Sequence, residues 1–261
     1  MILAPSILAC DLGHLADQIE AVERGGAGAI HVDVMDGRFA PNISLGPAIV
    51  EACRRATRLP VDAHLMVERA ELYLDAFVDA GASSVSVHVE AVPHLQRALD
   101  HLRKRGARAG VALDPSTPIG TLEEILPETD FVLILSVNPG FSFQTFLPSS
   151  LDKIRRLRRA IQERGLPTLV QVDGGVHAGN IRSVVEAGVG IVVAGAAAFA
   201  AGDPEAAGDD DLHRRLFRAG PAACITWGEA SGSPSTRCCA SSRRSPRGPS
   251  ESSARRPRRA T

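Results

Sequence analysis

Aromatic residues are scarce in this sequence. One Trp, one Tyr and eight Phe make up 4% of the chain, so the core has to be built from Val, Leu, Ile and Ala. Paired cysteines are missing too. Cys10, Cys53, Cys224, Cys238 and Cys239 form no CxxC unit and no disulfide framework, which points to reduced thiols in the cytoplasm. No basic segment leading into a long apolar run marks a signal peptide. No apolar run approaches the ~20 residues that span a bilayer, so no membrane partner is expected. Positive charge is lacking in the body of the chain. The net charge of −1 divides into −7 over residues 1–218 and +6 over residues 219–261. An acidic body argues against nucleic acid as a partner, because phosphate backbones are bound by basic surfaces.

What is present is an alternation. The apolar fraction of 44% and charged fraction of 23% are those of an ordinary globular protein, long enough for one large domain. Short apolar runs at 2–9, 29–35, 61–66, 84–89, 109–113, 131–137, 169–172 and 191–194 read as strands. Between them, helical spacing marks 12–24, 47–57, 72–80, 92–105, 119–126, 151–164 and 181–187. A short turn at 196–200 precedes a last helix near 212–218. The strand runs do not alternate cleanly with polar residues, as befits parallel strands covered on both faces. Eight strands and about eight helices within residues 1–218 predict an α/β fold, a (β/α)₈ TIM barrel. A doubly wound sheet would be expected to carry G-x-G-x-x-G after its first strand, and that strand leads instead into Ala9-Cys10-Asp11. Residues 219–261, rich in Ser, Pro and Arg, are too poor in apolar residues to form a core, and a disordered tail is expected there.

The run from Ile30 to Gly37 carries the first chemistry. His31 and Asp33 are two positions apart and so share one face of a strand. In a barrel, strand C-termini converge on the face where active sites lie. His64 and Asp173 fall at two further strand ends. Two imidazoles and two carboxylates make a plausible site for one divalent transition metal: Zn²⁺, Fe²⁺, Mn²⁺ or Co²⁺. His88 also lies near a strand end but reads as a packed, hydrogen-bonded histidine. His14, His94, His101, His177 and His213 read as surface residues, and Cys10 as a small buried apolar residue.

Two glycine-bearing turns follow strands seven and eight. Gly174-Gly175 leads towards a helix at Asn180, and Gly195-Ala196 leads into a short one. Glycines allow close backbone approach, and helix starts hold anions, which predicts a phosphate grip. The loop from Asn138 to Gln144, containing Gly140, Phe141, Ser142 and Phe143, suits a water-excluding lid. Met35 and Met66 stand two residues beyond His/Asp candidates on their own strands and would form an apolar cap, though as core packing they would look the same.

Taken together, His31-Val32-Asp33-Val34-Met35-Asp36-Gly37, His64-Leu65-Met66-Val67, Asn138-Pro139-Gly140-Phe141 and Val172-Asp173-Gly174-Gly175-Val176 resemble the ribulose-phosphate 3-epimerase family. The opening Ala4-Pro5-Ser6-Ile7-Leu8 is similar to that family as well, and the resemblance runs over about residues 2–218. It implies a metal-dependent barrel of the ribulose-phosphate-binding type. The implied reaction interconverts D-ribulose 5-phosphate and D-xylulose 5-phosphate, in a pentose phosphate pathway or in carbon fixation (the Calvin cycle). It implies that His31, Asp33, His64 and Asp173 hold one divalent metal. It further implies that Asp33 and Asp173 are the two acid/base groups inverting C3 through a metal-stabilised enediolate. Substrate contacts would come from Ser6, His31, His64, the lid residues 140–143, Asp173, Gly174, Gly175, Gly195 and Ala196. A homo-oligomer is implied too.

Three positions depart from the family pattern. Ser142-Phe143 replaces a usual Gly-Gly in the lid, Ala196 a usual Ser, and Leu135 a frequent third Met. The alternatives are a related 3-epimerase acting on a hexulose phosphate such as D-allulose 6-phosphate, a metal-free phosphate-binding barrel, and a catalytically dead binding protein. The tail is expected to be a solvated extension and not an arm for nucleic acid. Intact protein should therefore purify free of nucleic acid, and co-purifying nucleic acid that disappears when 219–261 is deleted would overturn that expectation.

Overall fold

A computed structural model of the chain describes residues 1–199. The expected final helix near 212–218 and the tail lie outside the described residues. Eight parallel strands run in the order β1-β8-β7-β6-β5-β4-β3-β2. They are β1 (Ile2–Pro5), β2 (Ile30–Met35), β3 (Val61–Met66), β4 (Ser84–His88), β5 (Arg108–Leu113), β6 (Phe131–Leu135), β7 (Leu169–Asp173) and β8 (Ile191–Ala194). The helices between them are α1 (Leu15–Arg24), α2 (Pro47–Ala56), α3 (Leu74–Asp79), α4 (Leu95–Lys104), α5 (Ser149–Glu163), α6 (Ile181–Glu186) and α7 (Ala196–Phe199). The β1–β2 seam all but closes the barrel. The Gly28 and Ala29 N–H groups donate to the Leu3 carbonyl, and Ser6 forms a single parallel bridge with His31. The TIM barrel expected from the alternation is what the chain forms.

Several boundaries differ from the sequence expectation by a few residues, and three of the differences have a clear local cause. The first strand stops at Pro5 and not at 9, because Ser6 Oγ accepts the Leu8 N–H and winds Ile7–Ala9 into a 3-10 turn. The helix expected at 12–24 begins as a 3-10 turn, Leu12–His14, capped by the Asp11 carboxylate accepting the Gly13 N–H. The segment expected as a helix at 119–126 forms two 3-10 turns, Ile119–Leu122 and Leu126–Glu128. Gly120 weakens the α-helix there, and Pro127 lacks the N–H needed to continue one.

Side-chain direction alternates along each strand and sorts the core into layers. Ile30, Val32 and Val34 of β2 face outward and join one large apolar cluster with Val61, Ala63 and Leu65 of β3 and the inward stripes of the helices. The barrel interior is stratified. At the floor, Ile2, Ala4, Ala29, Ile191 and Val193 form a small apolar plug. Above it lies a polar layer in which His31, Asp62, Ser84 and Gln171 are fully buried. Met35 and Met66 pack with Ala40 nearer the mouth.

On the β5–β6 side the interior is filled by the Phe131 ring together with Ala112, Leu133 and Leu135. Gly110 on β5 pairs with Phe131 on β6, and a Cβ at 110 would lie 2.2 Å from the Phe131 ring. That ring is itself buried and has little space to give way. Gly110→Ala is therefore expected to destabilise the protein by about 1–3 kcal/mol through overpacking. Urea unfolding should show a lower midpoint, and an unchanged midpoint would contradict this packing.

Candidate active site and metal centre

The site is built on one register. β2 and β3 pair in parallel so that His31 stands opposite Asp62, Asp33 opposite His64 and Met35 opposite Met66. Neighbouring strands are only ≈ 4.8 Å apart, so each rung brings its two inward side chains into contact. β7 supplies Asp173 from across the barrel mouth, with β1 and β8 between it and β2. Ligand atoms of His31, Asp33, His64 and Asp173 all lie within 4.8 Å of one another. The four residues that sequence spacing singled out are thus gathered in one place.

Asp33 sits at the centre. Its Oδ1 is 3.0 Å from His64 Nδ1 and 3.3 Å from His31 Nε2, and its Oδ2 accepts a 2.5 Å hydrogen bond from Ser6 Oγ. Burial pushes the Asp33 pKa up, but the His31 and His64 imidazoles outweigh it and hold the carboxyl well below the usual carboxylate range. Asp173 behaves oppositely. Burial and the neighbouring Asp33 charge raise its pKa from 3.8 to about 6. Two carboxylates in one site are thereby driven apart, one ionised and one inclined to hold a proton.

Sequence reasoning missed Asp62. It is fully buried and accepts from His31 Nδ1 at 2.8 Å, Ser84 Oγ at 2.5 Å and Gln171 Nε2 at 2.7 Å. A buried carboxylate needs such donors to offset its desolvation. Burial raises its pKa, but these hydrogen bonds, that of His31 foremost, bring it below the usual value. The available signal was its position: Asp62 is two residues before His64 and so shares its face.

The donor set fits a metal ion. With His31 Nδ1 engaged by Asp62, His31 Nε2 is buried without a hydrogen-bond partner, since its approach to Asp33 lacks hydrogen-bond alignment. An orphaned ring nitrogen aimed among two carboxylates and a second imidazole is what a tetrahedral cation such as Zn²⁺ would complete, and the mixed N/O set also suits Fe²⁺, Mn²⁺ or Co²⁺. His31 and His64 are fully buried beneath Asp33 and do not line the open cavity above it.

That cavity has a volume of about 730 Å³. Its walls include Ser6, Asp33, Met35, Met66, the lid, Asp173, Gly174, Gly175, Gly195 and Ala196. Glycine is required at two of these positions. Gly174 and Gly175 have φ of +107° and +63°, and Cβ atoms there would lie 2.5 Å from Val137 and 2.4 Å from the Phe146 nitrogen. The lid is braced by Gln144, which donates to the Asn138 and Phe141 carbonyls, and by Asn42, which donates to the Gly140 carbonyl. Phe143 has φ +65°, a left-handed conformation that costs a residue with a Cβ about 1 kcal/mol. Its ring is 75% exposed.

His88 is buried and hydrogen bonded, as expected, and its ring lies 2.9 Å from His64 Nε2. Cys10 is only half buried, not buried as expected; burial and the Asp11 charge push its thiol up to about 11, so it is not a nucleophile. His14, His94 and His177 are exposed, His101 is half-buried at the surface beside Asp75, and His213 lies outside the described residues.

Comparison with known proteins accords with this geometry. Residues 2–199 match the model of the ribulose-phosphate 3 epimerase family. The chain belongs to that family. It is 51% identical over 201 residues to "Ribulose-phosphate 3-epimerase" of Synechocystis sp., a match covering 76% of this chain and 87% of that protein. It is 47% identical over 202 residues to the protein of the same name from Bacillus subtilis, covering 77% and 93%. The solved structure of 3-hexulose-6-phosphate synthase from Salmonella typhimurium is similar in fold, with a TM-score of 0.63 at 15% identity over 84% of this chain and 100% of that one. Membership makes the chain an isomerase. Among the described residues no helix is long and apolar enough to cross a membrane.

The raised pKa of Asp173 has a sign that can be tested. A carboxyl raised on folding contributes stability that is full below 3.8 and lost as pH rises through about 6. In metal-free protein Asp173→Asn should therefore be the more stable form near pH 7, by on the order of 2–3 kcal/mol, with the advantage falling below about 1 kcal/mol near pH 4. Urea unfolding in chelator measures this, and a difference that does not change with pH would contradict it.

Proposed function

We propose that the protein interconverts D-ribulose 5-phosphate and D-xylulose 5-phosphate, inverting C3 by proton transfer between Asp33 and Asp173. The observation that carries this reading is the pair itself: two carboxylates from separate strands, within 4.8 Å, with opposite pKa shifts. Inversion next to a ketone needs one ionised carboxylate to take the C3 proton and one protonated carboxylate to return a proton to the opposite face. The C3–H electron pair moves into the C2–C3 bond, and negative charge gathers on the C2 oxygen. A divalent cation held by His31 Nε2, His64 Nδ1, Asp33 and Asp173 would supply Lewis-acid stabilisation of that charge.

The remaining residues bind and orient. Ser6 Oγ, hydrogen bonded to Asp33, fixes the carboxylate's rotamer and stands at the cavity wall for a sugar hydroxyl. Met35, Met66 and Leu135 give the reacting carbons an apolar surface. Gly174, Gly175, Gly195 and Ala196 offer backbone to the phosphate; Ala196 has no hydroxyl to add. The lid from Asn138 to Gln144 excludes water from the reacting centre. We infer a cytoplasmic homo-oligomer from membership of the family.

Turnover on D-ribulose 5-phosphate in ²H₂O should place deuterium at C3 of the product. Asp33→Asn and Asp173→Asn should each lower kcat by ~10²–10⁴-fold, and exhaustive chelation should remove activity that one equivalent of metal restores. Full activity after chelation would contradict the metal. Faster turnover of D-allulose 6-phosphate would assign the enzyme to the hexulose phosphate instead.

A further inference from the structure

His64 does not end its interactions inside the metal site. Its Nε2 lies 2.9 Å from His88 Nε2, and the two rings stack with centroids 5.0 Å apart. His88 Nδ1 in turn lies 3.2 Å from Glu90 Oε2. Glu90 Oε1 accepts from the Asp114 N–H at 2.9 Å and from the Thr117 hydroxyl. Both imidazoles are fully buried, and the Glu90 side chain is 24% exposed. We propose that His88 and Glu90 are positioning residues forming a relay, His64–His88–Glu90, that fixes the ring orientation and tautomer of His64 so that its Nδ1 lone pair faces the metal site. This rests on the reading of His64 as a metal ligand.

The pattern of donors and acceptors along the chain of contacts sets the tautomers. An ionised Glu90 can only accept, and its two further donors keep it ionised. It therefore holds a proton on His88 Nδ1. A neutral His88 then has only a lone pair on Nε2. That lone pair requires a proton on His64 Nε2, which leaves His64 Nδ1 bare and pointing towards Asp33. The geometry parallels His31, where Asp62 holds Nδ1–H and leaves Nε2 bare. One ligand is oriented by a carboxylate directly, the other by a carboxylate through an intervening imidazole. Outer partners of this kind typically change metal affinity 10–100-fold when removed.

His88, Glu90 and Asp114 also lie close enough together to hold a cation themselves. The relay argues against that use. His88 Nε2 is committed to His64, and the proton on Nδ1 is committed to Glu90, so no ring lone pair remains. The Lys153 ammonium also donates to the Asp114, Pro115 and Thr117 carbonyls, placing a fixed positive charge beside the cluster.

The test compares His88→Phe with His88→Gln. Phenyl keeps the ring that packs on Phe39 at 4.5 Å but cannot accept a hydrogen bond. The glutamine carboxamide can accept from His64 and donate to Glu90. Zn²⁺ affinity of the metal-stripped full chain is measured by chelator competition, and the protonated nitrogen of His64 by ¹⁵N NMR of the Zn²⁺ form. Wild type should show His64 protonated at Nε2. His88→Phe should bind Zn²⁺ ~10–100-fold more weakly, and His88→Gln should recover most of that loss. If His88→Phe does not fold, Glu90→Leu replaces it with the same expectation. Wild-type affinity in His88→Phe, or an equal loss in His88→Gln, would overturn the relay. Failure of wild type to bind Zn²⁺ at all would instead overturn the ligand role of His64 on which it rests.

Discussion

The in-register parallel pairing of β2 with β3 is the constraint on which the site depends. It places His31 beside Asp62, Asp33 beside His64 and Met35 beside Met66 on one inward face. A slip of one residue in either strand would turn that strand's three inward side chains outward into the apolar layer beneath the helices. The outward residues resist that slip. Ile30, Val32, Val34, Val61, Ala63 and Leu65 are all buried against the helical shell, and exchanging them with charged groups would cost several kcal/mol per ion. The hydrophobic shell thus holds a polar interior in place.

That interior carries its own cost. Asp33, Asp62 and two imidazoles occupy space that apolar side chains would fill with less desolvation. Hydrogen bonding offsets much of it: Asp62 accepts from three donors, and Asp33 accepts from the Ser6 hydroxyl. In the barrel interior His31 Nε2, Ser86 Oγ and Gln171 Oε1 are buried without a hydrogen-bond partner. Of these three, His31 Nε2 is the one that belongs to the cluster of His31, Asp33, His64 and Asp173, and an unsatisfied buried atom there marks the place where a ligand belongs.

Much of this was legible in the sequence. Spacing of two placed His31 with Asp33, and the alternation of runs gave the barrel and put His64 and Asp173 at the same mouth. The 3-10 turns were not legible, because an apolar triplet such as Ile7-Leu8-Ala9 reads equally as a strand, and the Ser6 cap decides against it locally. Asp62 was passed over because it stands one rung below the strand end, where a polar residue looks like a defect in an apolar run. The His64–His88 contact joins neighbouring strands one rung out of register, which no spacing within either segment reveals. The positive φ at Phe143 was equally hidden, since the residue type argues against the conformation that it adopts.

The central claim is that one register assembles one cation site from His31, Asp33, His64 and Asp173. Anomalous diffraction from crystals grown with Zn²⁺ tests it most directly. The account predicts a single strong peak within ~2.0–2.2 Å of His31 Nε2, His64 Nδ1 and a carboxylate oxygen of each aspartate. A peak between His88, Glu90 and Asp114 instead, or none among the four residues, would contradict it.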